Sequence, residues 1–169
     1  MTDKQAHWQG ATVVECFDVA EGVKRIVVAP ERPRPARAGE HLDVLVTLPD
    51  GRTDERSYSI AGASASGDRV AVSVASAHSS RGGSTFMRSL LPGDTLRITQ
   101  PLQDFPLRVG APAYVLVAGG VGITAIRGMA STLKRLGADY ALHYVGSSRD
   151  RMAYLPQLED RHGDRLIPH

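Results

Sequence analysis

Residues 114–124 read Tyr114-Val115-Leu116-Val117-Ala118-Gly119-Gly120-Val121-Gly122-Ile123-Thr124. The first five form a continuous apolar run, which predicts a strand covered on both faces. Glycines follow, and from Ile123 to Leu136 the residues Ile126, Met129 and Leu133 fall on one side at helical spacing. Gly137 is the expected helix stop. Residues 140–145 predict the next strand, 152–161 a second helix and 165–167 a third strand. That order, βαβαβ, is the pattern of a parallel sheet.

Upstream of Pro112 the period changes. Leu42, Val44, Val46 and Leu48 alternate with Asp43 and Thr47, the period of a half-buried strand. Strands are also predicted over 11–17, 23–28, 56–60, 70–75 and 95–99, with a short helix over 85–91. Glu21-Gly22, Pro49-Asp50-Gly51 and Pro92-Gly93-Asp94 are turn signals, because Pro fixes φ and Gly tolerates positive φ. Six strands with such turns predict a small antiparallel barrel. The expected fold is therefore a six-stranded antiparallel β barrel over 1–109, followed by a partial parallel-sheet α/β domain over 110–169. A doubly wound domain commonly has about five or six strands, and this one reaches three. A half-sheet would leave an open apolar edge, so a partial sequence is expected.

Composition narrows the function. The chain has 169 residues, of which 42% are apolar and 22% charged, an ordinary balance for a globular protein. Aromatic residues make up 5%, so aliphatic side chains must supply most of the core. The net charge is +2. Arg32, Arg34 and Arg37 lie in a proline-rich loop beside Glu31 and Glu40, without the aromatic-interleaved basic stripe of a nucleic-acid binder. Cys16 is the only cysteine, so a disulfide within the chain and a four-thiolate cluster are both excluded. Cys16 itself is expected to be an inert core residue. Histidines such as His41, His78 and His143 show no metal-ligand spacing. No run is apolar enough for a membrane span of about 20 residues, and Met1 to Gly10 has no signal-peptide core. A cytoplasmic protein is expected.

Three motifs carry chemistry. Gly119-Gly120-Val121-Gly122 sits between a strand and a helix, where backbone N–H groups and the helix dipole can meet a pyrophosphate and side chains would block its approach. A tight turn that needs glycine only for its backbone would read the same. In Arg56-Ser57-Tyr58-Ser59 alternation puts Arg56 and Tyr58 on one face and Ser57 and Ser59 on the other. A cation beside an aromatic ring can hold a phosphate and cover a flat heterocycle, although a core tyrosine with a solvated arginine fits equally. Arg81-Gly82-Gly83-Ser84 precedes the short helix and offers a second anion seat, with Ser84 as its expected N-cap.

In this order the motifs resemble those of the ferredoxin–NADP reductase superfamily, most closely its phthalate dioxygenase reductase and vanillate demethylase reductase branch. Arg56-Ser57-Tyr58-Ser59 is similar to the family's flavin-binding Arg-x-Tyr-Ser. Arg81 to Ser84 resembles the segment that cradles the flavin phosphate, Asp104-Phe105-Pro106-Leu107 the linker between domains, and Gly119 to Thr124 the nicotinamide-nucleotide loop. The resemblance implies a flavin-binding barrel followed by a nicotinamide domain, with FMN as the flavin and FAD as the alternative. It implies that Arg56 binds the flavin phosphate, Tyr58 lies against the ribityl chain or ring, and Ser59 hydrogen-bonds near N5. Gly120 and Gly122 would admit the pyrophosphate, with Thr124 near the nicotinamide. Ser147-Ser148-Arg149-Asp150 would meet the adenosine ribose. There Arg149 favours the 2′-phosphate of NADPH and Asp150 the free hydroxyl of NADH, and the branch leans to NADH.

The implied activity is an NAD(P)H-dependent flavin oxidoreductase, the reductase component of an aromatic-ring oxygenase or demethylase, passing single electrons to an iron–sulfur centre. In the branch that centre is a plant-type 2Fe–2S domain, which a single cysteine cannot supply here and which would lie in a missing C-terminal part. Ala125 stands where the family often has proline, a small change at a helix start. A free-standing flavin reductase and a non-redox binding module are the alternatives.

Overall fold

The computed structural model describes residues 7–76 and 82–169. The first half is built from β1 (Trp8–Ala20), β2 (Val23–Pro30), β3 (Glu40–Thr47), β4 (Thr53–Ala63), β5 (Val70–Ala75), helix α1 (Gly83–Ser89), β6 (Thr95–Thr99) and the two-residue β7 (Leu102–Gln103). The strand order β4-β5-β2-β1-β6-β3 is closed by pairing of β3 with β4, giving a six-stranded antiparallel barrel, with β7 appended to β3. The six predicted strands match the six strands of the barrel in place, and only the two-residue β7 was not predicted. The observed strands run longer, because pairing continues past the apolar residues that announced them.

The barrel core is aliphatic, as the low aromatic content required. Val13, Ile26, Val28, Leu42, Val44, Val46, Val72 and Ile98 are all buried in one cluster. Helix α1 adds Met87 to that cluster, with no exposed surface. Cys16 is half-buried against it, and burial raises its thiol pKa.

The second half comprises β8 (Ala113–Gly119), α2 (Ile123–Arg135), β9 (Asp139–Val145), α3 (Leu155–His162) and β10 (Leu166–Pro168). The three strands pair in parallel in the order β10-β9-β8. Leu116, Ala118, Leu142 and Tyr144 face Ile126, Met129, Leu133 and Leu158 of the two helices in one buried cluster. The other face of β8 is open: Val115 is 71% and Val117 62% exposed. Within these residues the expectation of a strand covered on both faces is met on one face, the one that the two helices cover. Alternate residues of an edge strand point to opposite sides, and both helices cover the same side.

The two halves share a core. Val23 and Ala61 of the barrel are buried with Ile126 and Met129 of α2. The predicted crossover at Asp104 to Leu107 runs close against the barrel, where a Cβ on Gly39 would collide with the Phe105 carbonyl. Among the described residues no helix is long and apolar enough to cross a membrane.

Candidate functional site

The register of β4 on β3 fixes the first motif. Arg56 pairs with Val44 and Tyr58 with Leu42, while Ser57 faces Asp43 and Ser59 faces His41. Arg56 and Tyr58 thus share a face and the two serines share the other, as alternation predicts. The Arg56 guanidinium forms an ion pair with Asp54 at 2.7 Å. Its side chain runs over the start of α1, since a Cβ on Gly83 would stand 3.1 Å from Arg56 Cγ and 3.2 Å from its Nε. The strand motif and the glycine pair, separate in sequence, therefore form one place. A recess of about 370 Å³ opens beside it, lined by Leu48, Pro49, Asp50, Arg52, Asp54 and Arg56.

Gly82 holds the other side of that place. Its φ of 102° is left-handed, and a Cβ would come within 2.5 Å of Pro49 Cδ. Both features require glycine. The helix starts at Gly83 with Gly82 as its N-cap and no side-chain cap bond, so Ser84 lies inside the helix. This corrects the reading of Ser84 as the cap: the left-handed glycine starts the helix earlier than the serine could. Arg81 lies outside the described residues, as does His78.

The hydroxyl residues of β4 differ in role. Ser57 Oγ donates to Asp43 Oδ1 at 2.5 Å, and the Asp43 backbone N–H donates to Thr99 Oγ1 at 3.0 Å. Ser57 is thereby tied to the barrel wall. Ser59 is half-buried and, among the described residues, its side chain has no hydrogen-bond partner. Tyr58 packs against the barrel core, and burial raises its phenol pKa while the Arg56 charge opposes the shift. Its phenol is therefore neutral at ordinary pH.

The glycine loop closes the end of β8. Gly119 ends the strand, and Gly120–Gly122 form a single 3₁₀ turn that leads into α2 and lies beside β5. Gly120 needs its freedom, with φ 50°. Gly119 and Gly122 do not: their φ values are −116° and −59°, and a Cβ on either would meet no heavy atom within 4 Å. A turn built for its backbone alone would not need them. The space they leave lies over the helix start, at the carboxyl end of a parallel strand, where open α/β sheets take ligands. Thr124 is buried, and its hydroxyl donates to the Val121 carbonyl at 2.9 Å, closing the turn.

At the ends of β9 and β10 a second recess, about 250 Å³, is lined by Gly146, Ser147, Ser148, Arg149, Met152, Pro168 and His169. Arg149 is ion-paired with Glu159 of α3. Sequence reasoning missed Asp54 and Asp43. Asp54 was findable, since it stands two residues before Arg56 on the same strand face. Asp43 was not, because only the strand register brings it to Ser57.

The chain is 38% identical over 155 residues to the tetrachlorobenzoquinone reductase of Sphingobium chlorophenolicum, a match covering 88% of this chain and 46% of that protein. It is 38% identical over 134 residues to a vanillate O-demethylase oxidoreductase of Pseudomonas putida, covering 78% and 41%. Among solved structures it is similar to phthalate dioxygenase reductase, described as a modular structure for electron transfer from pyridine nucleotides to 2Fe–2S. That match has a TM-score of 0.84 and 27% identity, over 96% of this chain and 51% of that one. The chain spans about half the length of these relatives. No protein-family model matches it.

Proposed function

Since the chain is a homologue of the phthalate dioxygenase reductase and vanillate demethylase reductase proteins, with a ferredoxin–NADP reductase-like fold, we propose that it is the flavin-reducing part of an oxygenase or demethylase reductase. Hydride passes from NAD(P)H to flavin, and single electrons leave for an iron–sulfur protein or the oxygenase itself. Residues 1–109 are the flavin unit, residues 110–169 contribute to the nicotinamide unit, and the protein works in the cytoplasm. The observation that carries this reading is the meeting of Arg56 with Gly83 beside the left-handed Gly82.

The residues fit a flavin monophosphate. Arg56 offers a guanidinium whose present partner, Asp54, is 43% exposed and easily exchanged for a phosphate. Gly82 and Gly83 let a phosphate approach the start of α1, with Ser84 next in the helix. Tyr58 supplies an aromatic edge for the ribityl chain, and Ser59 a hydroxyl without a protein partner for the ring nitrogen N5. Ser57 positions the strand through Asp43. Flavin, when bound, supplies the exchange between two-electron and one-electron transfer.

On the nucleotide side, Gly119, Gly120, Val121 and Gly122 leave room for a pyrophosphate at the α2 start, and Thr124 holds that turn closed. Ser148 and Arg149 border the ribose. The pair of Arg149 with Glu159 is as open to water as that of Arg56 with Asp54 and yields to a phosphate as readily, so NADH is favoured only because the reductase branch that the chain resembles leans to it. The seat at Arg56 is made for one phosphate, which favours FMN over FAD. Fluorescence titration checks this: FMN is expected to bind at least about tenfold more tightly than FAD, about 1.4 kcal/mol. Equal affinities would overturn the choice of FMN, and no binding of either would favour a non-redox module.

A further inference from the structure

A cleft of about 530 Å³ lies between the barrel and the α/β half, apart from the flavin and nucleotide seats. Ala61, Gly62 and Ala63 at the end of β4 line it, and the Ala61 carbonyl accepts a hydrogen bond from Arg127 at 2.6 Å. Arg25 and Arg69 line it from the barrel, and Arg127 and Arg161 line it from α2 and α3. A Cβ on Gly62 would stand 3.4 Å from an Arg25 nitrogen and 3.9 Å from an Arg127 nitrogen. Guanidinium groups from both halves thus converge on one point over a residue with no side chain.

Like charges held this close repel unless something neutralises them. Among the described residues none of the four cleft arginines, Arg25, Arg69, Arg127 and Arg161, forms an ion pair with a carboxylate. The neighbouring acids are engaged or set aside. Asp68 accepts hydrogen bonds from Ser64 and Ser66, and Asp160 lines the adjoining recess together with Arg127, Arg161 and Lys134 without forming an ion pair with any of them. Burial pulls the Arg127 pKa down, as do the charges of Arg25 and Arg161, while Tyr154 acts the other way.

Tyr154 braces the cluster. The Arg127 guanidinium lies 4.0 Å above its ring, and its hydroxyl accepts from Arg25 at 3.1 Å and bonds Ser73 at 2.5 Å. It is the one non-glycine among the described residues with positive φ, 64°. That conformation is unfavourable for a bulky side chain and tends to mark functional positions.

We propose that this cleft binds a small oxyanion of at least two negative charges, a phosphate or a dicarboxylate, and that the ligand clamps the barrel to the α/β half. Arginine suits the task because its planar fork engages two oxygens at once.

The test is a titration of the full chain with inorganic phosphate, and separately with succinate, followed residue by residue through backbone amide NMR shifts. At least one of the two is expected to produce saturable shifts at Gly62, Ala63 and Gly128. Arg127→Gln and Arg161→Gln should each raise that midpoint at least tenfold, with Arg97→Gln, on the exposed side of β6, as the unaffected control. Arg161 lies on the surface of α3, so its variant carries the test if Arg127→Gln fails to fold. Shifts confined to Gly82, Gly83 and Gly120 would place the anions only at the flavin and nucleotide seats and overturn the proposal. So would shifts matched by sodium chloride at equal ionic strength, or shifts that survive both substitutions.

Discussion

Gly122→Val is expected to weaken NADH binding by about 10- to 100-fold while leaving thermal stability and flavin content nearly unchanged. Gly122 has an ordinary helical φ, −59°, and a Cβ there meets no heavy atom within 4 Å. The folded chain therefore has room for the side chain. What valine occupies is the space over the first turn of α2, where a pyrophosphate would lie against free backbone N–H groups. Losing one or two charge-assisted hydrogen bonds costs about 1.5–3 kcal/mol, which sets the expected range. The position is chosen over Gly120, whose φ of 50° would make any substitution strain the turn as well. Steady-state KM for NADH beside the unfolding midpoint separates the effects. An unchanged KM would return the loop to a simple turn.

Arg56→Gln is the second large effect. FMN affinity is expected to fall by about 10- to 100-fold, the worth of a charge-assisted contact between guanidinium and phosphate, about 1.5–3 kcal/mol. Stability should barely move. Arg56 is 26% exposed and Asp54 43% exposed, and an ion pair so open to water contributes about 0–1 kcal/mol. Glutamine keeps the stem that covers Gly83 and removes only the charge. Quenching of FMN fluorescence on titration reads the affinity directly. An unchanged dissociation constant would remove Arg56 from the phosphate seat.

Most of the architecture was legible because its signals are local. Alternation in Leu42, Val44 and Val46 and the turn at Asp50-Gly51 announce adjacent strands, and Ile126, Met129 and Leu133 announce a helix face. What failed depends on neighbours distant in sequence. The apolar run of β8 looks the same whether one face is covered or two, and only the packing of α2 and α3 shows which face these residues cover. Ser84 has the chemistry of a cap, yet Pro49 and the φ of Gly82 decide where α1 begins. The motifs themselves were readable, but their meeting at Arg56 and Gly83 was not, since barrel closure brings them together. The arginine cleft had no sequence signature: Arg25, Arg69, Arg127 and Arg161 are scattered singly, and Tyr154 gives no sign of its left-handed backbone.

The central claim is that these residues form a working path from nicotinamide to flavin. Its most direct test is the visible absorption of the FMN-loaded protein during anaerobic addition of NADH. The flavin band at about 450 nm is expected to bleach as NADH is added. A band that stands unchanged at saturating NADH, with flavin demonstrably bound, would contradict the account.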